Sequence, residues 1–361
     1  MESSKPAPQK TKLLSESFDA TTKTPVVLVL VCDSTYVPYA GVTIASVLRQ
    51  ADPKQPYDII VVGDGTTALD QEKLKSLVRL KENTSITLHS ASHAQIDALK
   101  PSRGWSRTVF YKLVISEILN DFDKVIYLDC DVLAYRDLGH LFATELRGYH
   151  IGACQDPSYR MYVTHKRWRY GIKETDDMRR YFLSEVGILE QNLERQFNTG
   201  VLLLSLENFR QNAFTEKALS YLREKPRQPI FVDQDIFNYI YQGHYFELDR
   251  KWNVMDHLNQ FSEVLSELEA DNFSDAKNNP YIYHFTAPQS KPWKGSKSIF
   301  SSDWWKSARL TPWYEDLLID RMSRYSPFNR TVRQIARKEA ARQRLSSVIS
   351  RRLRSFFGTQ Q

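Results

Sequence analysis

Short apolar runs alternate along this chain with segments in which apolar residues recur every three or four positions. The runs have the length of strands, and the segments have the spacing of amphipathic helices. Regular alternation of the two is typical of a doubly wound α/β sheet. The predicted strands are Pro25 to Cys32, Tyr57 to Val62, Ile86 to Leu88, Val125 to Leu128, Ile151 to Cys154, Val201 to Leu206 and Tyr281 to Phe285. The predicted helices are Tyr39 to Arg49, Leu69 to Leu80, Thr108 to Leu119, Leu138 to Phe142, Phe214 to Arg223 and Ile236 to Tyr241.

The strand Val125 to Leu128 runs directly into two acids, Asp129 and Asp131. A short apolar run of this kind predicts a strand covered on both faces, and such sheets bind ligands beyond the carboxyl ends of their strands. Two carboxylates placed two residues apart begin on the same side of an extended chain. The pattern therefore predicts a site for a divalent cation at this strand end.

The Asp-x-Asp spacing occurs three times, so spacing alone does not select the site. Asp121 and Asp123 lie in a polar turn ahead of the strand, which indicates a solvated loop. Asp233 and Asp235 stand at the start of a predicted helix, where acids cap the helix and meet its positive end. Only the pair that follows Leu128 ends an apolar strand.

The composition is that of a soluble globular protein, with 361 residues of which 42% are hydrophobic and 25% charged. No apolar run is long enough to span a bilayer, and Met1 to Thr24 is polar without a signal-peptide core, which predicts that the chain is not exported. Cys32, Cys130 and Cys154 are odd in number and have apolar neighbours. This predicts reduced core thiols in a cytoplasmic compartment.

The net charge of +6 is unevenly distributed, because residues 321–361 hold eleven Arg or Lys and one acid. This basic tail carries +10 and the rest of the chain −4. Within it, Val332 to Phe357 has the apolar spacing of an amphipathic helix, which favours attachment to an anionic lipid surface. A helix packed on the protein's own body fits the same pattern. A nucleic-acid partner is disfavoured, because the remaining chain is net negative and lacks a nucleic-acid motif.

Six short motifs follow one another along the chain. They are Asp33-Ser34-Thr35-Tyr36, Tyr111-Lys112-Leu113, Leu128-Asp129-Cys130-Asp131, Phe197-Asn198-Thr199-Gly200, Asp233-Gln234-Asp235, and His284 followed by Lys291-Pro292-Trp293. In kind and order they resemble the motifs of the retaining glycosyltransferases of family 8, which include bacterial lipopolysaccharide galactosyl- and glucosyltransferases and glycogenin. The resemblance extends from about Val26 to Trp293. It implies an α/β architecture of the GT-A type, a Rossmann-like, mixed but mostly parallel sheet flanked by helices.

The resemblance implies that a metal ion is bound by Asp129, Asp131 and His284. An imidazole beside two carboxylates favours Mn²⁺ over Mg²⁺, although Mg²⁺ stays possible. Bound to the diphosphate of a UDP-sugar, the cation would stabilise the charge that develops on the leaving group. Lys291 is implied to pair with a diphosphate oxygen.

The donor substrate is implied to contact further motif residues. Asp33, Thr35 and Tyr36 match residues that hold the uridine, and Asp129 is expected near the ribose. The positions that resemble donor-sugar contacts are Lys112, Asn198, Asp233 and Gln234, with Asp156 as a carboxylate nearby. Three positions depart from the usual pattern, with Thr35 in place of Asn, Lys112 in place of Arg, and Ala287 in place of Gly in a longer loop.

Gln234 is expected closest to the anomeric carbon, on the face opposite the leaving group. Because an amide is a poor nucleophile, we favour front-face substitution, in which Gln234 stabilises an oxocarbenium-like state. Double displacement through Asp156 or Asp233 is the alternative, by analogy with retaining hydrolases.

We expect a mobile extension at residues 1–24, a catalytic domain at residues 25–320 and the basic tail at residues 321–361. Within the domain, residues 25–155 are expected to bind the nucleotide and residues 156–320 the sugar and acceptor. The charged, aromatic insertion at residues 157–196 includes Arg160 to Tyr170, whose composition favours a contact with donor or acceptor.

The expected reaction moves galactose or glucose from UDP-galactose or UDP-glucose to a saccharide, with a lipopolysaccharide or lipooligosaccharide core, or another lipid-linked oligosaccharide, as acceptor. One alternative is a self-glucosylating primer enzyme like glycogenin, which would modify one of the nineteen tyrosines. The other is a non-enzymatic nucleic-acid-binding protein.

Overall fold

The computed structural model describes residues 23–99, 106–159, 178–225, 229–255 and 267–325, and two sheets form its centre. The large sheet contains β1 (Val26–Asp33), β2 (Tyr57–Asp64), β3 (Thr84–Ser90), β4 (Lys124–Leu128), β6 (Ile151–Gln155), β7 (Phe197–Ser205) and β8 (Phe246–Glu247). The small sheet contains β5 (Val132–Ala134), β9 (Val254–Met255) and β10 (Ile282–His284).

The strands of the large sheet lie in the order β3-β2-β1-β4-β7-β6-β8. β3, β2, β1 and β4 are parallel to one another, β7 is antiparallel to both of its neighbours, and β6 is parallel to β8. This confirms the expected mixed, mostly parallel sheet. Because β7 runs in the opposite direction to β4, its first residues lie beside the carboxyl end of β4, where ligands bind in such sheets.

Helices cover both faces of the large sheet. The α-helices are α1 (Val37–Gln50), α2 (Ala68–Lys75), α3 (Ala94–Asp97), α4 (Ile115–Ile118), α5 (Gly139–Phe142), α6 (Met178–Arg180), α7 (Leu206–Gln211), α8 (Phe214–Glu224), α9 (Asp233–Tyr241), α10 (Glu267–Asn278), α11 (Ser301–Ala308) and α12 (Tyr314–Tyr325). Short 3₁₀ helices span Ser76–Leu80, Arg107–Val114, Glu190–Arg195, Arg250–Asn253 and Pro292–Lys294, and a π-helical turn spans Tyr181–Val186.

The side chains of β1 show how this sheet is buried on both sides. Leu28 and Leu30 pack in one core with residues of α1 and α11, whereas Val29 packs in the other core with residues of α8. Alternate residues of a strand point to opposite faces, so an unbroken apolar run requires cover on both. The predicted doubly wound arrangement is confirmed.

The small sheet continues directly from the end of β4. β5 pairs with β10 in antiparallel register, which places His284 opposite Val132, and β9 runs parallel to β10. The segment from Asp129 to Asp131 is therefore the link between the two sheets. On α1, the Thr43 hydroxyl lies 3.1 Å from the carbonyl oxygens of both Cys130 and Val132 and anchors this link.

The segment around Lys112 differs from its prediction. In place of a continuous α-helix from Thr108 to Leu119, it forms the 3₁₀ helix Arg107–Val114 followed by the single turn α4. Several β-branched residues lower the α-helix propensity here, and burial of the segment against β1 decides its path.

Two further boundaries also differ. β7 begins at Phe197, four residues before the predicted strand, because the Asp129 N–H donates to the Gly200 carbonyl at 2.8 Å and extends the pairing with β4. α9 begins at Asp233, three residues before the predicted helix, and the residue before it, Val232, makes no side-chain capping bond. Asp233 and Asp235 lie in its first turn, as predicted, and Asp235 Oδ2 accepts from the Phe231 N–H at 2.9 Å.

The cysteines Cys32, Cys130 and Cys154 are free and buried, as predicted. Among the residues that the structure describes, no helix is both long and apolar enough to cross a membrane. Residues 1–22 of the predicted extension, the stretch Arg160 to Tyr170 and the helix predicted for Val332 to Phe357 lie outside the described residues. The predicted boundary after residue 320 falls inside α12.

Candidate active site

Strand direction brings three distant segments to one point. Asp129 and Asp131 follow the carboxyl end of β4, Asn198 and its neighbours begin the antiparallel β7, and His284 ends β10. The Phe285 N–H donates to the Asp131 carbonyl at 3.0 Å, which holds the end of β10 against the Asp-x-Asp link. The site is therefore built on paired backbone.

Asp129, Asp131 and His284 offer ligand atoms that all lie within 4.8 Å of one another. His284 Nε2 is 3.2 Å from Asp131 Oδ1 and 3.7 Å from Asp129 Oδ2. Among the described residues, Asp131 Oδ1 is buried and accepts no hydrogen bond. A buried carboxylate oxygen of this kind is costly unless a cation is bound, and the mixed oxygen and nitrogen set suits a first-row divalent ion. These residues fit the predicted metal.

Gly200 leaves the room that this cluster needs. A Cβ atom at this position would overlap the His284 ring and lie 2.8 Å from Asp129 Oδ2. The glycine of the Phe-Asn-Thr-Gly motif is thus required for the close approach of β7 to the metal-ligating side chains.

Lys291 also lies at this cluster, where its ammonium group pairs with Asp131 Oδ2. Burial opposes ionisation of Asp131, but the charges of Lys291 and His284 outweigh it and hold the pKa of that carboxyl well below its usual range. The loop is fixed by Trp293, whose ring stacks on Tyr39 with centroids 4.2 Å apart. The Lys-Pro-Trp motif thus positions a positive charge where a diphosphate is predicted to bind.

A buried ion pair adjoins the metal-ligating residues. Lys112, 2% exposed, donates from Nζ to Asp233 Oδ2 at 2.7 Å and to the Thr199 carbonyl at 2.9 Å, and lies 3.5 Å from Asp129 Oδ1. Nζ also lies 4.2 Å from the centroid of the Tyr127 ring. Burial opposes protonation, but the carboxylates of Asp129 and Asp233 outweigh it and raise the pKa of Lys112.

The side chain of Gln234 makes hydrogen bonds from both ends of its amide. Its carbonyl oxygen accepts from Asn198 Nδ2 at 3.0 Å and from the Thr199 N–H at 3.4 Å. Its amide nitrogen lies 3.1 Å from the Tyr159 hydroxyl and 3.4 Å from Asp156 Oδ2. The structure thus brings Asp156, Gln234 and Asn198 together, as their predicted sugar-binding functions require.

The predicted nucleotide-binding residues lie at the end of β1. Asp33 Oδ1 accepts from the Thr35 and Tyr36 N–H groups at 3.0 and 3.2 Å, and from the Thr35 hydroxyl at 2.6 Å. Partial burial and the nearby charge of Asp131 raise the pKa of Tyr36 to about 12, so its hydroxyl stays neutral at physiological pH. This turn presents a carboxylate and a half-exposed aromatic ring beside the cation site.

Sequence reasoning assigned no function to Asn253, Tyr159 or Thr199. Asn253 is fully buried, and it lies 3.0 Å from His284 Nδ1 through its Oδ1 atom. The strand that follows Asn253, β9, has only two residues. This is too short an apolar run to be recognised as a strand in the sequence, so nothing pointed to Asn253. Tyr159 belongs to the insertion and packs on Phe182, with ring centroids 4.7 Å apart. Thr199 belongs to the Phe-Asn-Thr-Gly motif, and this membership was the one feature of the sequence that could have indicated a function for it.

The fold and the site define the class of protein, a glycosyltransferase of the GT-A type. Among solved structures, the WbbM bifunctional glycosyltransferase in its apo form superposes with a TM-score of 0.71 at 22% identity, covering 85% of this chain and 53% of that chain. The galactosyltransferase LgtC in complex with donor and acceptor sugar analogs superposes with a TM-score of 0.60 at 21% identity, covering 80% of this chain and 96% of that chain.

The sequence model described as Glycosyl transferase family 8 matches residues 27–297, and the chain belongs to this family. Lipopolysaccharide 1,2-glucosyltransferase of Escherichia coli is 25% identical over 290 residues, which cover 79% of this chain and 78% of the relative. General stress protein A of Bacillus subtilis is 23% identical over 292 residues, which cover 79% of this chain and 94% of the relative. The predicted family and the predicted glycosyltransferase class are confirmed.

Proposed function

We propose that this protein is a retaining hexosyltransferase that moves galactose or glucose from a UDP-sugar to a saccharide acceptor, a lipopolysaccharide or lipooligosaccharide core. The observation that carries the proposal is the convergence of Asp129, Asp131 and His284 beside the buried Lys112–Asp233 pair. Similarity to the lipopolysaccharide 1,2-glucosyltransferase supports the acceptor class.

Asp129, Asp131 and His284 would hold the cation, and the imidazole nitrogen favours Mn²⁺. When bound, a divalent cation neutralises the negative charge that builds up on the departing diphosphate. Lys291 supplies a second positive charge at the same place, and its pairing with Asp131 keeps it within reach of the leaving group.

Donor-sugar hydroxyls would bind the side chains of Lys112, Asp233 and Asn198. Lys112 Nζ and the Thr199 hydroxyl both donate to Asp233 Oδ2, which makes that oxygen a weaker nucleophile. Gln234 is held by hydrogen bonds at both ends of its amide, which fixes its dipole but does not make it a nucleophile. These contacts support front-face substitution, in which the departing phosphate takes the acceptor's proton.

The decisive experiment is a screen of UDP-glucose, UDP-galactose and related donors for Mn²⁺-dependent hydrolysis, followed by transfer to truncated lipopolysaccharide cores. We expect turnover of at least one hexose donor and its loss in the variants Asp131→Ala and His284→Ala. Arg210→Ala, which removes an ion pair with the exposed Asp123, is the matched control and should keep its turnover. Equal turnover in the unchanged protein and the Asp131→Ala variant would refute the proposal.

We further propose that the protein works at the cytoplasmic face of the cell membrane, attached through residues 325–361. The support is the charge of the tail and its predicted apolar stripe, together with Ile319 and Met322 on α12, both 65% exposed. Each basic residue near an anionic surface contributes about 1 kcal/mol. Deletion of residues 325–361 should abolish binding to anionic liposomes and leave UDP-sugar hydrolysis intact. Unchanged liposome binding would refute attachment through the tail.

A further inference from the structure

Four buried or partly buried side chains form one hydrogen-bonded row from His284 to Gln234. His284 Nδ1 lies 3.0 Å from Asn253 Oδ1, and Asn253 Nδ2 donates to Asn198 Oδ1 at 2.8 Å. Asn198 Nδ2 then donates to Gln234 Oε1 at 3.0 Å. The row connects a predicted metal-binding imidazole with the amide predicted nearest the reacting carbon.

A backbone group determines the direction of every bond in this row. The Gly200 N–H donates to Asn198 Oδ1 at 2.9 Å, and a backbone N–H is a donor whatever the orientation of the amide. Asn198 therefore presents its oxygen to Asn253, and Asn253 must donate to it from Nδ2. The oxygen of Asn253 is left facing His284, so Nδ1 of the imidazole must carry a hydrogen.

The other imidazole nitrogen is the one that faces the two carboxylates. With Nδ1 carrying a hydrogen, Nε2 is the ring nitrogen that can give a lone pair to a metal ion, and it lies 3.2 Å from Asp131 Oδ1 and 3.7 Å from Asp129 Oδ2. Metal-ligating histidines usually owe their tautomer to such a partner on the second nitrogen.

We infer that Asn253 is a positioning residue that fixes the Nδ1–H tautomer of His284 and thereby presents Nε2 to the metal ion. The inference rests on the proposed function, because it takes the three-residue cluster to be a metal site. Asn253 ends the 3₁₀ helix Arg250–Asn253, directly before the strand β9 that pairs with β10, so the backbone holds it beside the ring.

The same row orients Gln234. Because Asn198 donates to Gln234 Oε1, the carbonyl of Gln234 points towards β7 and its amide nitrogen towards Asp156 and Tyr159. Reversal of the Asn253 amide would place two oxygens against each other at Asn198. The orientation of the Asn253 amide is therefore linked both to the nitrogen that His284 presents to the metal ion and to the orientation of the Gln234 amide in the sugar-binding part of the site.

Two variants separate the functions of the Asn253 side chain. Asn253→Leu removes both the acceptor for Nδ1–H and the donor to Asn198, at similar volume. Asn253→Asp keeps an acceptor for Nδ1–H and loses only the donor. Gln55→Met is the matched control, since Gln55 is a buried amide that donates to the Thr24 and Pro56 carbonyls near the amino ends of the strands.

The first measurement is ¹⁵N NMR of histidine-labelled protein without metal or substrate, recorded at a pH high enough for the imidazole to be neutral, with the His284 signals assigned by their loss in His284→Gln. We expect the Nδ1–H tautomer in the unchanged protein, in Gln55→Met and in Asn253→Asp, and a mixture of tautomers in Asn253→Leu. An Nε2–H tautomer in the unchanged protein would overturn the inference.

The second measurement is Mn²⁺ binding in excess UDP, followed by the electron paramagnetic resonance signal of the free ion. We expect Asn253→Leu to bind Mn²⁺ about 10- to 100-fold more weakly, and Asn253→Asp and Gln55→Met to bind it within about threefold of the unchanged protein or more tightly. Unaltered affinity in Asn253→Leu, or an equal loss in Asn253→Asp, would contradict the inference.

Thermal unfolding shows whether each variant is folded. If Asn253→Leu does not fold, the tautomer of His284 in the unchanged protein and the Mn²⁺ affinity of Asn253→Asp test the inference. Neither the tautomer measurement nor the Mn²⁺ titration depends on sugar transfer. Failure of the proposed function would appear as absent turnover beside the expected tautomer and Mn²⁺ affinity, whereas failure of the positioning inference would appear as an unexpected tautomer or affinity beside normal turnover.

Discussion

Removal of Lys112 should destabilise the fold itself. Its side chain and that of Asp233 are 3% and 7% exposed, and the ammonium group bonds both this carboxylate and the Thr199 carbonyl. The variant Lys112→Met keeps the length and volume of the side chain but leaves a buried carboxylate without its cation. Breaking a buried pair from one side costs about 3–5 kcal/mol.

The loss should depend on pH with a definite sign. Burial raises the pKa of Asp233 and the charge of Lys112 opposes that rise, so Lys112→Met raises it further. A carboxyl whose pKa is higher in the folded than in the unfolded protein contributes stability that is lost as the pH rises through the folded value. The penalty of Lys112→Met should therefore be full at high pH and shrink as the pH falls.

Urea unfolding of the variant at a series of pH values measures both effects. The double variant Lys112→Met/Asp233→Leu should recover much of the lost stability, since no unpaired charge remains. Arg223→Met, which breaks an exposed pair with Glu216, is the matched control and should cost about 0–1 kcal/mol. A cost below about 1 kcal/mol for Lys112→Met, or no recovery in the double variant, would refute the reasoning.

Three further predictions concern the metal site, a buried carboxyl group and the reaction mechanism. Gly200→Ala should weaken Mn²⁺ binding by at least tenfold in an electron paramagnetic resonance titration, because its Cβ overlaps the His284 ring; unchanged affinity would contradict this. Burial raises the pKa of Asp235 to about 7 despite hydrogen bonds from the Tyr181 hydroxyl and the Phe231 N–H, so this carboxyl stabilises the fold at acidic pH and less as the pH rises towards 7. Asp235→Asn should flatten the dependence of urea unfolding on pH between about 4 and 7, and an unchanged slope would show the assignment to be wrong. Front-face substitution predicts that intact mass of the protein incubated with a UDP-sugar shows no glycosyl adduct, whereas an adduct that Asp156→Asn abolishes would favour double displacement.

The strands, their alternation with helices, and the cation site at Asp129 and Asp131 were predictable because each depends on residues that are neighbours in the sequence. An unbroken apolar run indicates a strand buried on both faces, and acids directly after it stand at the ligand-binding edge. The six ordered motifs identified the family, which the comparisons confirm. The acceptor and the choice between glucose and galactose have no such local signature.

Tertiary structure alone decided how these pieces meet. The antiparallel direction of β7 brings Asn198 to the end of β4, and the pairing of β5 with β10 brings His284 to Asp131 across more than 150 residues of chain. The 3₁₀ path of the Lys112 segment and the use of Asn253 as the partner of His284 were likewise invisible in sequence. Hydrophobic periodicity reports which face of an element is buried, whereas strand pairing and side-chain hydrogen bonds depend on partners that are distant along the chain.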